Sequence, residues 1–452
     1  MKAAELLNTV LRNDYCSGCG VCTASDGSPF GMQLTGEGRY FPVLTGLENI
    51  DGIVCPFAQD APDETALAGQ LYAGAGVHFH EEFGYYRQIY TGHTADEGFR
   101  LNGSSGGGVT WMAHELLRRN LTDFVVTVGE TGPGTPRYAY RIISNPEEIF
   151  ATAKSRYYPV SLDGVLEQIR RQPGRYTLIG IPCFIKGIRL LQQQEPVFAE
   201  RIVFTIGIFC GHLKSTHYLS LLAAQFPAHE EDIVSFDFRH KIPGRPANRY
   251  GTAIQLKNGR QLVKPNDQLF GTDWGLGLFK LNACDYCDDI IGETADISFG
   301  DAWIPPFEKD WKGTNMVVTR HPVIQKLVDE AIGKGDLVWQ PARPEQLLQS
   351  QAGGFRHRRE GLAYRLWLAR KKGRWTPRKR VAPRRIHSRK RRKLYRLRMQ
   401  IREISFASAF YRQPDKLRKQ LRPIIRRVEK LYRHSLWTRL RLRIKRLVQK
   451  HK

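Results

Sequence analysis

The sequence predicts a mixed α/β (α+β) protein in three parts: a cysteine-rich N-terminal module, an α/β core and a basic helical C-terminal tail. Three observations predict it. The first 75 residues hold four cysteines among many Gly, Pro and Asp. From about residue 85 to 350, apolar strand-like runs alternate with helical patterns. Residues 370–452 carry 33 Lys and Arg against three acids (Glu403, Asp415, Glu429), which leaves 36 against 41 for the first 369. The net charge of +25 therefore belongs to the tail, and the body is mildly acidic. A chain of 452 residues that is 41% apolar has room for two to four domains. Boundaries are expected at 1–75, 85–172, 173–350 and 351–452. No run approaches the roughly 18 apolar residues of a membrane span.

The N-terminal module centres on Asp14-Tyr15-Cys16-Ser17-Gly18-Cys19-Gly20-Val21-Cys22 and on the distant Val54-Cys55-Pro56. Overlapping C-x2-C-x2-C spacing puts three thiolates in one turn, and a Cys-Pro elsewhere completes four, the ligand set of a [4Fe-4S] cluster. This marks a ferredoxin-like iron-sulfur module. Gly18 and Gly20 suit a chain that wraps a cluster closely with its amides aimed at sulfur. The fourth cysteine lies 33 residues beyond Cys22, so the site is built around an insertion. Zinc is the competing metal, although structural zinc sites favour paired C-x2-C motifs or histidines. The opening Met1-Lys2-Ala3-Ala4-Glu5-Leu6-Leu7 has no long apolar stretch, which predicts a reducing, cytoplasmic setting with reduced cysteines.

The core opens with a strand at Gln88–Gly92, then Gly103-Ser104-Ser105-Gly106-Gly107-Gly108, a helix over Trp111–Arg118 and a strand at Phe124–Val128. A Ser/Gly turn opening a helix can hold a pyrophosphate on free amides, and it can equally be a plain helix cap. Lys154-Ser155-Arg156-Tyr157 could serve a phosphate and a ring, or simply lead into the next helix. Two strand–helix units follow, Tyr176–Gly180 ending in Ile181-Pro182-Cys183 and Ile202–Phe209 ending in Cys210. Carboxyl ends of parallel strands share one edge, so these cysteines should meet in one crevice. An antiparallel stretch (Ile233–Phe238, Thr252–Leu256, Gln261–Val263) leads to Cys284-Asp285-Tyr286-Cys287. Cys183 and Cys210 could be buried small hydrophobes. Yet eight cysteines divide into two sets of four, the second being Cys183, Cys210, Cys284 and Cys287.

In order along roughly residues 10–345, these segments, with Ala295-Asp296-Ile297-Ser298-Phe299-Gly300-Asp301, resemble the coenzyme F420 hydrogenase/dehydrogenase beta-subunit family, which includes 7-hydroxymethyl chlorophyll a reductase. The resemblance implies an FAD- and iron-sulfur-dependent oxidoreductase with a flavin- and cluster-binding α/β core and two [4Fe-4S] clusters. It places Ser104, Ser105, Gly106, Gly107, Lys154, Arg156 and Tyr157 near the flavin. Electrons would pass from a ferredoxin-like donor to FAD and on to a small or lipid-linked organic substrate, or in reverse from reduced F420. His212, Tyr157 and Asp301 are the candidate proton donors. Two departures touch the flavin and substrate contacts: Gly103 precedes Ser104-Ser105 where the family more often has a third serine, and Ile181 replaces a threonine.

The tail alternates arginines with Leu, Ile, Trp and Tyr, as in Leu436-Trp437-Thr438-Arg439-Leu440-Arg441, and Pro377, Pro383, Pro414 and Pro423 are expected to cut it into short pieces. Such a segment, read as an appendage separate from the body, suits an anionic membrane surface, which would place the protein peripherally at the inner face. Nucleic acid is the weaker alternative partner, an acidic ferredoxin a third, and a homo-oligomer is compatible with the sequence. Two other functions remain: an accessory electron-transfer subunit without its own substrate, and a nucleic-acid-binding metalloprotein.

Overall fold

The computed structural model describes residues 1–132 and 134–432. Its centre is an eight-stranded mixed sheet in the spatial order Leu337–Pro341, Gln88–Thr94, Asn315–Thr319, Ile297–Asp301, Ile202–Ile208, Tyr176–Gly180, Phe124–Glu130, Tyr138–Ile143. The four strands from Ile297–Asp301 to Phe124–Glu130 run parallel. Antiparallel strands flank them on both sides. Parallel strands are covered on both faces, hence their near-continuous apolar runs: all five residues of Tyr176–Gly180 are buried.

The helix Gly108–Arg118 covers one face, packing Trp111, Met112 and Leu116 into a core with Ile179, Phe204 and Ile206. Helix Pro182–Gln194 covers the other with Phe184, Ile185, Ile188 and Leu191. Its first residue is proline, where a missing N–H costs nothing and the fixed φ favours the first turn. A three-stranded antiparallel sheet of Ile233–His240, Gly251–Leu256 and Gln261–Pro265 lies beside the main one. Two strands of the main sheet had no sequence signal, and both sit at its edges. Leu337–Pro341 exposes Val338 at 54%, and Tyr138–Ile143 turns Arg141 outward.

The basic segment does not stand apart from the body. Helix Arg389–Ala407, capped by Ser388 accepting from the Arg391 amide, buries Leu394, Leu397 and Ile401 in the large core, and helix Pro414–Tyr432 adds Leu417, Leu421 and Val428. Pro423 lies inside this second helix and does not break it. An interior proline costs a helix about 3 kcal/mol; buried leucines on one side and a valine on the other offset it. The Leu436–Arg441 stretch lies outside the described residues. Among the described residues, no helix is long and apolar enough to cross a membrane.

Candidate functional site

The first four cysteines are gathered by a tight loop. Gly18 and Gly20 have φ of +72° and +82°; a Cβ on Gly18 would stand 2.9 Å from the Tyr40 carbonyl oxygen, and one on Gly20 2.4 Å from Ser161 Oγ. No other residue fits either place without displacement. The Gly18 amide donates to Cys16 Sγ at 3.3 Å. Burial, then the neighbouring Cys19, pushes the Cys55 thiol up to about 12, and burial followed by Cys19, Cys16 and Cys55 drives Cys22 far above its ordinary value. Each of these thiols feels others of the same set.

The second four meet at the carboxyl end of the parallel strands. Cys183 is the second residue of helix Pro182–Gln194, Cys210 lies two residues beyond Ile202–Ile208, and Cys284 sits in the 3-10 turn Asn282–Tyr286 with Cys287 following it. Burial, then Cys287, Cys210 and Cys284, raises the Cys183 thiol, and Cys19 of the first set adds to it. Thus Cys19 and Cys183 link the two groups. The Leu213 amide donates to Cys284 Sγ at 3.2 Å. Arg358, fully buried, donates to the carbonyl oxygens of Cys210, Gly211 and Asp289.

The two loops interlock. Tyr15 packs edge-on against Tyr286 at 4.7 Å, Asn282 donates to the Asp14 carbonyl at 3.0 Å, and the Tyr15 hydroxyl donates to the Trp375 carbonyl at 3.1 Å. Beneath Cys284, the carboxylate of Asp285 is surrounded by Lys280 at 2.6 Å, Arg402 at 3.1 Å and Arg365 at 3.7 Å. Burial alone would raise its pKa, but these cations hold it well below the carboxylate range. Among the described residues, no set of three or more His, Cys, Asp or Glu is already at metal-binding geometry. All eight cysteines are free thiols. Two sets of four buried or half-buried thiols, with backbone amides donating to Cys16 and Cys284 sulfur, make a donor set whose chemistry suits a thiolate-bound metal or cluster.

The Ser/Gly turn is fixed between strand ends. Ser104 Oγ accepts from the Ser155 amide at 2.8 Å, Ser105 Oγ donates to the Thr314 carbonyl at 2.9 Å, and Asn315 Oδ1 accepts from the Gly108 amide at 3.0 Å. A Cβ on Gly106 would stand 2.7 Å from the Gly92 carbonyl oxygen, and Gly107 has φ +85°. Lys154 pairs with Asp237 at 3.2 Å and Arg156 with Glu130 at 3.7 Å.

Tyr157 reaches Arg239, whose fork holds both oxygens of Asp301 at 2.9 and 3.0 Å and also donates to the Ser104 carbonyl. Asp301 is thereby engaged on both oxygens by one guanidinium. His212 stands one ring away: Trp274 touches it at 4.3 Å and Tyr157 at 4.6 Å. Burial, then Lys214 and Lys280, holds the imidazole neutral. Arg156 Nε, Arg239 Nε, His212 Nε2 and Trp303 Nε1 are buried without partners. Unpartnered buried polar groups are costly, and these donors fit an anionic or carbonyl-bearing ligand such as a flavin nucleotide.

Sequence reasoning missed Arg239, Lys241, Asp237 and Arg358. Asp237 and Arg239 alternate with Phe236, Phe238 and His240 along Ile233–His240, and Lys241 follows its end, so the period of two was the signal that could have found them. Lys241 donates to the carbonyls of Arg100 and Ser105. Burial, then Lys154 and Arg239, lowers it to about 7.

Family models for the coenzyme F420 hydrogenase/dehydrogenase beta subunit match this geometry's sequence in two parts: the N-terminal model over residues 89–167 and the C-terminal model over 174–345. A coenzyme F420-dependent sulfite reductase from Methanocaldococcus jannaschii is 23% identical over 312 residues, covering 65% of this chain and 43% of the relative. The chain thus spans less than half of that protein. An uncharacterized protein of the same organism is 23% identical over 247 residues, 54% of this chain and 83% of its own length. A chain of the F420-reducing [NiFe] hydrogenase complex from Methanosarcina barkeri superposes with a TM-score of 0.50 at 17% identity, covering 64% of this chain and 96% of its own. That likeness is one of fold.

Proposed function

Because the chain belongs to the coenzyme F420 hydrogenase/dehydrogenase beta-subunit family, a family of F420-related oxidoreductases and electron-transfer subunits, we propose that it is an iron-sulfur flavoprotein oxidoreductase. Cys16, Cys19, Cys22 and Cys55 would hold one [4Fe-4S] cluster in a ferredoxin-like module, and Cys183, Cys210, Cys284 and Cys287 a second. Ser104, Ser105, Gly106, Gly107, Lys154, Arg156 and Tyr157 would hold FAD in the core. The observation that carries this reading is that the loops bearing the two thiol sets interlock through Tyr15–Tyr286 and Asn282–Asp14, while His212, two residues past Cys210, lies against Trp274, which packs against Tyr157. When bound, clusters supply single electrons and a flavin pairs them for two-electron chemistry on an organic substrate.

The chain's own residues do the rest. Amides of Gly18 and Leu213 donate to thiol sulfur, and Arg358 fixes the backbone carbonyls of Cys210, Gly211 and Asp289 around the second set. Arg239 donates to the Ser104 carbonyl and holds both oxygens of Asp301 beside it. Tyr157 and neutral His212 are the groups that would carry a proton. Electrons would come from a ferredoxin-like donor and go to a small or lipid-linked substrate, or enter from reduced F420.

Anaerobic purification with iron, sulfide and released-flavin quantitation tests this. About eight irons and one FAD per chain support it; zinc without flavin overturns it. A second reading, an accessory subunit without its own substrate, is favoured by one observation: the superposed structure is a chain of a multi-subunit hydrogenase complex. Dye reduction only in the presence of a partner would select it.

A further inference from the structure

A cleft of about 860 Å³ opens between helix Pro414–Tyr432 and the Asn266–Leu276 loop. Arg418, Arg422 and Arg426 stand along it at intervals of four residues, Arg249 faces them, and Trp274 and Trp303 line the same space. One step of four in a helix advances about 6 Å on one face. Like charges so spaced destabilise a helix by about 0.2–0.5 kcal/mol per pair. Among the described residues, no carboxylate is within ion-pair distance of any of these four arginines. The cleft's own acids do not neutralise the row: Asp267 is held by Arg245 at 2.5 Å, Asp273 accepts from the Gly275 amide at 2.7 Å, and Glu429 is a single charge at the far end.

We propose that this cleft binds a phosphate-bearing small molecule, its diphosphate or equivalent polyanion on the Arg418–Arg422–Arg426 row and its flat or apolar remainder toward Trp303. Guanidinium forks match phosphate oxygens bidentately, and successive turns present successive forks to a linear polyanion. Trp303 and Tyr250 line both this cleft and the small cavity beside Ser104 and Ser105, so a ligand anchored on the arginines extends toward the turn. Identifying that ligand with the substrate rests on the oxidoreductase reading; its binding does not. Three of the four arginines lie on a helix beyond residue 345, where the family match ends, while the opposite wall, with Arg249, Trp274 and Trp303, lies within it.

Calorimetric titration of the full-length, anaerobically purified protein with pyrophosphate at physiological ionic strength tests the proposal, and iron and flavin content of the same sample tests the redox reading separately. Saturable binding is expected, weakened at least tenfold by Arg422→Gln with Arg426→Gln. Lys390→Gln with Lys393→Gln, exposed on the neighbouring helix outside the cleft, should leave it unchanged. No saturable heat in the wild type overturns the proposal. So does equal weakening by the lysine pair, which would make the effect one of general charge. Binding of anionic lipid vesicles that pyrophosphate does not displace, with no pyrophosphate heat, would assign the arginines to a membrane surface instead.

Discussion

Gly20 shows how one atom can decide a site. Its φ of +82° and the 2.4 Å approach to Ser161 Oγ mean that Gly20→Ala strains the backbone and displaces the Ser161–Asp163 segment. A loss of about 1–3 kcal/mol is expected, read as a lower urea midpoint. Asp237 gives a pH dependence. Burial, the largest influence, pushes its pKa up, but the His240 hydrogen bond and Lys154 hold it at about 2. A carboxylate lowered on folding stabilises above its unfolded value, so this contribution of about 2 kcal/mol is present above about pH 4 and lost as pH falls toward 2. Asp237→Asn should flatten the decline in urea midpoint between those limits. Lys241 acts in another window: lowered to about 7, it should make the protein gain stability as pH rises from 7 toward 10.5. The cysteines were legible because their spacing is specific. Arg358 was not, since an arginine's burial is set by what folds over it from distant segments, and Arg239 showed only as one position in a strand's period of two.

At the scale of elements, the Pro414–Tyr432 helix is the informative case. Read locally, Pro423 and a high arginine content argue for short exposed pieces; the amphipathic spacing of Leu417, Leu421 and Val428 argues for a packed helix, and packing wins. Leu421→Ala should cost about 2–5 kcal/mol, checked by thermal or urea unfolding. An exposed tail helix would lose almost nothing. The central strands were readable from their apolar runs and terminal cysteines, and Tyr176–Gly180 was found to the residue. The edge strands were unreadable because one side of each faces solvent, and for Leu337–Pro341 also because its partner Gln88–Thr94 is remote in sequence.

For the whole molecule, the two thiol sets depend on each other's loops. Cys287→Ser should remove about half of the iron, from about eight to about four per chain, while Tyr15→Ala should lower iron in both sets, because Tyr15 packs on Tyr286 and hydrogen-bonds Trp375. The order of the motifs along the chain was visible in the sequence; the contact of residue 15 with residues 286 and 375 was not, since nothing local encodes it. That contact also bears on biosynthesis. A ribosome emits Cys16 long before it emits Trp375 and the arginines that surround Asp285. The Tyr15 lock on the N-terminal thiol loop is therefore completed only after nearly the whole polypeptide has emerged.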